Sequence, residues 1–255
     1  SKRIISLVMT FLLVLSISVS SGFMQIAQAE GTITDGLQVW YKFDETSGTV
    51  AKDSSGNGFD GTLMGGAGWD QVDGQGVGLN LENGQGDAKY VDVPTDVMAD
   101  VPGDFTITTW IKVNSAGVWS RIIDYGTSTS NVMLWTANSY YFKMDNDDAK
   151  AIEPPRNGTV PGFMVGCPLS VLWPEGYSAP RWQYATITRK GNTTTLWVDG
   201  IRWASSEYTT NNPRTADDYK FYIGKSLWDA DPYPNMNMRD FRVYNRALSI
   251  NEINQ

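Results

Sequence analysis

The chain has 255 residues, 41% hydrophobic and 19% charged, with 10 Trp, 12 Tyr and 9 Phe, a composition that excludes disordered, collagenous and disulfide-stapled classes. It has no histidine and one cysteine, Cys167, so no Ser/His/Asp triad, Cys/His dyad, His-ligated zinc site or intramolecular disulfide can be built. Lys plus Arg is 20 against 28 Asp plus Glu, a formal net charge of −8, which argues against nucleic acid as a partner.

The first 29 residues read as a signal peptide. Lys2 and Arg3 precede an apolar run from Ile4 to Val19, and Ala27-Gln28-Ala29 supplies the small-residue cleavage pattern. The run is short for a membrane anchor and contains Ser16 and Ser18. No lipidation cysteine follows Ala29. Residues 30–255 are therefore expected as one exported, extracellular domain of a bacterial protein with no membrane attachment.

From Gly31 onward, short runs of β-branched and aromatic residues alternate with Gly, Asn, Asp and Pro clusters, the rhythm of a β-sandwich. Strands are predicted over 37–44, 78–81, 89–93, 105–113, 121–125, 131–136 and 140–144. Further strands are predicted over 182–189, 194–198, 202–205, 221–224 and 239–244. They are too many for one sheet and suit two stacked ones. Two tight turns, Lys190-Gly191-Asn192 and Asp199-Gly200, join the segments from Trp182 to Ser205 into a three-stranded meander. The segment 153–181, rich in proline, reads as a long loop or insertion within one domain. Ser249-Ile250-Asn251-Glu252 is a capping box that starts a short C-terminal helical turn, expected to cover one end of the sandwich.

Several blocks resemble one family. Val39-Trp40-Tyr41-Lys42-Phe43-Asp44, with Asp53-Ser54-Ser55-Gly56-Asn57-Gly58-Phe59-Asp60, is similar to the opening of laminin-G-like jelly rolls of the concanavalin A-like kind in bacterial secreted proteins. Phe105 to Lys112, the meander, Ile223 to Ser226 and Arg239 to Ser249 resemble later blocks in the family's order. The resemblance implies an all-β, two-sheet antiparallel jelly-roll sandwich. It also implies a secreted, non-catalytic carbohydrate-binding or accessory module of the kind found beside glycoside hydrolase domains that act on hemicellulose. A polysaccharide or oligosaccharide and a glycoside hydrolase catalytic domain are the expected partners. The chain stops right after its last strand, so a catalytic partner is expected beyond Gln255, with this chain the N-terminal part of such an enzyme, or in another polypeptide. The rival class is a cell-surface protein-interaction or adhesion module.

The resemblance further implies a structural calcium ion between the loop after the first strand and the closing strand, held by Asp53, Asn57 and Asp240, with Asp60 nearby. Calcium takes six to eight oxygens, and a bent Gly-rich loop can present them. The competing reading makes Asp53 and Asn57 ordinary turn formers with Asx hydrogen bonds to their own backbone. Asp145-Asn146-Asp147-Asp148 lacks the glycine and glutamate of an EF-hand loop and reads as a hairpin tip.

Sugar binding calls for exposed rings beside hydrogen-bonding side chains. Trp119 with Arg121 and Asp124, and Trp228 with Asp229, Asp231 and Tyr233, are the candidate groupings; for Trp119 and Trp228, core packing is the competing reading. Trp40, Trp110, Trp182 and Trp197 lie inside alternating strands and are expected in the core. Glucanases of related folds use a close glutamate pair on one strand. Here Glu30, Glu45, Glu82, Glu153, Glu175, Glu207 and Glu252 are scattered, with no two within five residues, so catalysis by this chain is not expected.

Overall fold

The structure, a computed structural model, describes residues 33–71, 76–83, 88–101, 103–138, 140–144, 180–207 and 216–255 together with Gly74. The expected signal peptide, Cys167, the acidic run 145–148 and nearly all of the proline-rich segment lie outside the described residues. No helix among the described residues is long and apolar enough to cross a membrane.

Two antiparallel sheets carry the fold. The first runs in the order β13 (Ile201–Glu207), β12 (Thr193–Val198), β11 (Gln183–Lys190), β7 (Phe105–Ser115), β15 (Asn235–Tyr244), β5 (Val77–Glu82) and β4 (Gly68–Gln71). β1 (Leu37–Tyr41) also pairs with β15, along Phe241 to Tyr244, while β5 takes Asn235 to Met238. The second sheet runs β10 (Phe142–Met144), β9 (Ser130–Thr136), β8 (Arg121–Thr127), β14 (Lys220–Ile223), β6 (Tyr90–Val93), β3 (Gly61–Met64) and β2 (Val50–Ala51).

Alternating side chains send one face of each sheet inward. Tyr41, Leu79, Phe105, Tyr125, Trp135 and Phe241, all fully buried, meet in the interior. The expected meander is β11–β12–β13. It reverses at Asp199 and Gly200, whose φ values of 52° and 73° are both positive, as a type I′ turn requires.

The strand tryptophans are a correction to the sequence reading. Trp110 is 41% exposed, and Trp40, Trp182 and Trp197 are half-buried. In β7 the alternation sends Phe105, Ile107, Ile111 and Val113 inward, and Trp110 stands on the opposite, outer face. A register row on that outer face links Trp40, Arg242, Thr108, Thr186 and Trp197 across five strands.

The C-terminal turn α1 (Ile250–Ile253) has the predicted capping box: Glu252 N donates to Ser249 Oγ at 3.3 Å, and Ser249 N donates to Glu252 Oε2 at 2.7 Å. Leu248 and Ile253 form a second apolar cluster with Leu37 and Tyr244, and Trp40, Tyr184 and Trp197 pack against it. The tail therefore lies on the outer face of the first sheet, where those rings belong.

Candidate functional site: a tryptophan-walled cleft

The residues expected to hold calcium are engaged by protein donors. Asp53 Oδ1 accepts from Trp40 N at 3.0 Å and Ser55 N at 2.8 Å; its Oδ2 accepts from Ser55 Oγ at 2.8 Å and Phe59 N at 3.0 Å. A carboxylate offers about four such positions, and all are taken. Burial raises the Asp53 pKa, but the bonds from Ser55, Trp40 and Phe59 outweigh it and hold the group below its ordinary value. Asp60 accepts from Asp53 N at 2.8 Å and from Lys52 Nζ at 2.6 Å. Asn57 Nδ2 donates to the carbonyls of Leu37 and Gln38.

Asp240, at φ 52° in a bulge of β15, accepts from Arg242 through two nitrogens and from Trp40 Nε1 at 2.5 Å. Among the described residues no three Asp, Glu, His or Cys side chains are grouped for a metal. As placed, this set is a hydrogen-bonded pin between loop and strand, and its carboxylates do not fit a shared calcium shell.

The two tryptophan groupings meet at one place. A cleft of about 340 Å³ lies on the outer face of the second sheet, lined by Trp119, Arg121, Asn131, Leu134, Lys143, Trp228 and Asp231. The pleat explains the floor: Leu134 of β9 is the register partner of both Asp124 and Lys143, and these side chains share its outward face. The walls are two loops, one between β7 and β8 carrying Trp119, the other between β14 and β15 carrying Trp228 and Asp231. They touch at Gly117, where an added Cβ would lie 2.8 Å from Pro232 Cγ, so only glycine lets them close.

Arg121 joins the walls. Its Nε donates to Asp124 Oδ2 at 3.0 Å and one terminal nitrogen to Asp231 Oδ2 at 3.0 Å; the other donates to the Trp119 carbonyl. The Arg121 guanidinium also lies 5.6 Å from the Trp119 ring centroid, within cation–π range. Asp124, fully buried beneath the cleft, further accepts from Leu227 N at 3.1 Å, Ser226 Oγ at 3.4 Å and the Asn131 amide. Burial pushes its carboxyl up to about 6, against the downward pull of Arg121 and the donated hydrogen bonds. Ser226 Oγ also donates to Asp231 at 2.7 Å and accepts from Trp228 N at 3.1 Å.

Trp119 is held in an unusual backbone state, φ 69°, and remains 40% exposed. A bulky residue at positive φ stores strain of order 1–3 kcal/mol. The neighbouring bonds that fix it present its ring at the cleft, edge-on to Tyr141 with centroids 5.9 Å apart.

Of the residues in the candidate sugar-binding groupings, Trp119, Arg121, Trp228 and Asp231 line the cleft. Asp124 lies under it as an anchor. Asp229 and Tyr233 sit to one side, where both bear on Tyr222. Asn131, Leu134 and Lys143 were missed as site residues because their strands were visible in sequence but the register that faces them together was not. The arrangement offers two indole rings and a set of amide, ammonium, guanidinium and carboxylate groups, suited to stacking on and hydrogen-bonding a small hydroxyl-rich molecule.

Comparison with known proteins shows what the fold is. No match was found among curated protein sequences. The binding domain of Paraclostridial Mosquitocidal Protein 1 superposes with TM-score 0.58 at 17% identity, over 87% of this chain and 51% of that one. The receptor-binding domain of a botulinum neurotoxin C/D mosaic serotype gives 0.62 at 16%, over 87% and 51%. Domain 4 of AbnA, a GH43 extracellular arabinanase of Geobacillus stearothermophilus, solved with arabinotriose, gives 0.53 at 15%, over 86% and 96%. The chain thus spans about half the length of the two toxin domains and nearly all of the arabinanase domain. The sequence profile of Laminin_G_3 matches residues 83–254, and the chain belongs to the concanavalin A-like lectin/glucanases superfamily.

Proposed function

We propose that this chain is a non-catalytic carbohydrate-binding module that takes a hydroxyl-rich oligosaccharide between Trp119 and Trp228. The cleft carries the reading: two rings on separate loops, locked by Arg121 through Asp124 and Asp231, face polar side chains on a strand floor. Its volume falls in the range of small-molecule sites. The neighbour of matching length was solved with arabinotriose, and a botulinum neurotoxin binding domain with SialylT.

A glycosidase needs two carboxyl groups poised across the sugar. Here the cleft's Asp231 and the buried Asp124 both accept from one guanidinium, an arrangement for holding loops. We extend the reading to an exported protein that works in hemicellulose breakdown beside a glycoside hydrolase. A glycan array and pull-down on insoluble arabinan, xylan and galactan test it. Binding that Trp228→Ala abolishes supports the module; absence of glycan binding, with capture of a cell-surface protein, favours an adhesion role and overturns it.

A further inference from the structure

Beside the cleft, three tyrosines converge from three parts of the chain. The rings of Tyr90 on β6 and Tyr222 on β14 meet edge to face with centroids 5.1 Å apart, and Lys225 Nζ lies 4.9 Å from each. Tyr233 is close enough to raise the pKa of both. All three rings are half-buried, and among the described residues none of their hydroxyls has a protein hydrogen-bond partner. Asp92, the register partner of Tyr222 and two residues from Tyr90 on β6, is half-buried with its charge balanced at a distance by Lys220 and Lys225. A half-buried cluster with polar tips turned to solvent has the chemistry of a binding surface, since each phenol can both donate and accept.

This cluster is continuous with the cleft. One register row on the outer face runs Lys143, Leu134, Asp124, Tyr222, Asp92 and Thr62 across β10, β9, β8, β14, β6 and β3. The loop between β14 and β15 serves both ends. Its Ser226, Trp228 and Asp231 belong to the cleft, while Asp229 and Tyr233 lie within electrostatic reach of Tyr222. From β9 to β6 the row spans about 14 Å, three spacings of about 4.8 Å, more than one sugar ring covers.

We propose that Tyr90, Tyr222 and Tyr233, with Lys225 and Asp92, form a second subsite of the same face, so that the ligand is a linear oligosaccharide lying across the strands. The inference rests on reading the cleft as a sugar site. Phenol hydroxyls, one ammonium and one carboxylate suit successive sugar hydroxyls, and the rings give stacking area without demanding a charged ligand.

The test is calorimetric titration of the protein with arabino-, xylo-, galacto- and cello-oligosaccharides of one to six units. Affinity for the recognised series is expected to rise at least tenfold between the shortest ligand bound and the longer members. Tyr222→Ala and Lys225→Ala, each checked for an unchanged melting temperature, are expected to remove that gain and leave the shortest ligand's affinity intact. Tyr222→Phe retains the ring and is expected to lose only part of the gain. Wild-type protein that binds short and long ligands equally, or variants that keep the full gain, would overturn the second subsite and leave the cleft reading standing. No binding of any series by the wild-type protein overturns both.

Discussion

Arg121 and Asp231 are 110 residues apart in sequence, yet their side chains meet at 3.0 Å. That contact ties the edge of β8 to the loop that carries Trp228, and a second bond from the same guanidinium reaches the buried Asp124. Lysine presents one point charge and cannot span both carboxylates as the planar guanidinium does. Arg121→Lys is therefore expected to weaken ligand binding at least tenfold while the core stays folded. Near-UV circular dichroism of the tryptophans should report the loosened walls, and an unchanged spectrum with unchanged binding would contradict this role.

Asp124 gives the cleft a pH signature. Its folded pKa, raised to about 6 by burial, exceeds its unfolded value of about 4. The native state therefore holds the extra proton, and the group's stabilising contribution is full below about pH 4 and lost as pH rises through about 6. Melting temperature followed across this window should show that fall, and Asp124→Asn should flatten it. A variant with the wild-type slope would place the titration elsewhere.

Burial predicts unequal costs for two tryptophans, Trp135 on β9 and Trp110 on β7. Trp135, fully buried between the sheets, should cost about 3–5 kcal/mol as Trp135→Ala. Trp110, 41% exposed beside Tyr184, should cost about 1 kcal/mol or less. Denaturant unfolding of both variants measures the difference.

The loop after β1 is pinned by Asp53, whose carboxylate accepts four hydrogen bonds from Trp40, Ser55 and Phe59. Asp53→Asn replaces an acceptor oxygen with an amide that faces N–H donors, and should cost about 1–3 kcal/mol. Chelator should leave the wild-type melting temperature where it is. A fall in melting temperature with EDTA, reversed by calcium, would show that the loop binds the ion after all.

Much of this architecture can be read from residues alone, and what cannot has identifiable causes. Strong alternation, as in Thr186 to Thr188 and Thr194 to Val198, marked the meander, and Asp199-Gly200 marked its turn. β2, β3 and β4 escaped because they are short and lie among glycines, at Gly61, Gly65, Gly66 and Gly68, with few β-branched residues to mark them, and exist through pairing with neighbours. β15 begins at Asn235, earlier than expected, although Asn235-Met236-Asn237-Met238 already alternates. Trp110 was assigned inward because its ring is large and apolar, although alternation puts it on the face of Thr106, Thr108 and Lys112, and Phe105, Ile107, Ile111 and Val113 proved to be the core set. The cleft was half legible: the loop tryptophans stood out beside charged residues, whereas Asn131, Leu134 and Lys143 depend on cross-strand register, which no local pattern encodes.

Catalysis gives a separate check. With Asp124 buried and Asp231 bonded to Arg121, purified residues 30–255 should release no reducing sugar from arabinan, galactan, xylan or β-glucan. Turnover abolished by Asp231→Asn would overturn the non-catalytic reading.

The central claim is that Trp119 and Trp228 grip a sugar between them, and calorimetric titration of Trp119→Ala, Trp228→Ala and Trp110→Ala with the recognised oligosaccharide tests it most directly. Truncating an aromatic anchor in a binding site costs more than about 1 kcal/mol, so each cleft variant should bind at least about fivefold more weakly, while Trp110→Ala on the other sheet binds as the wild type does. Wild-type affinity in both cleft variants, or loss of binding in Trp110→Ala alone, would contradict the account.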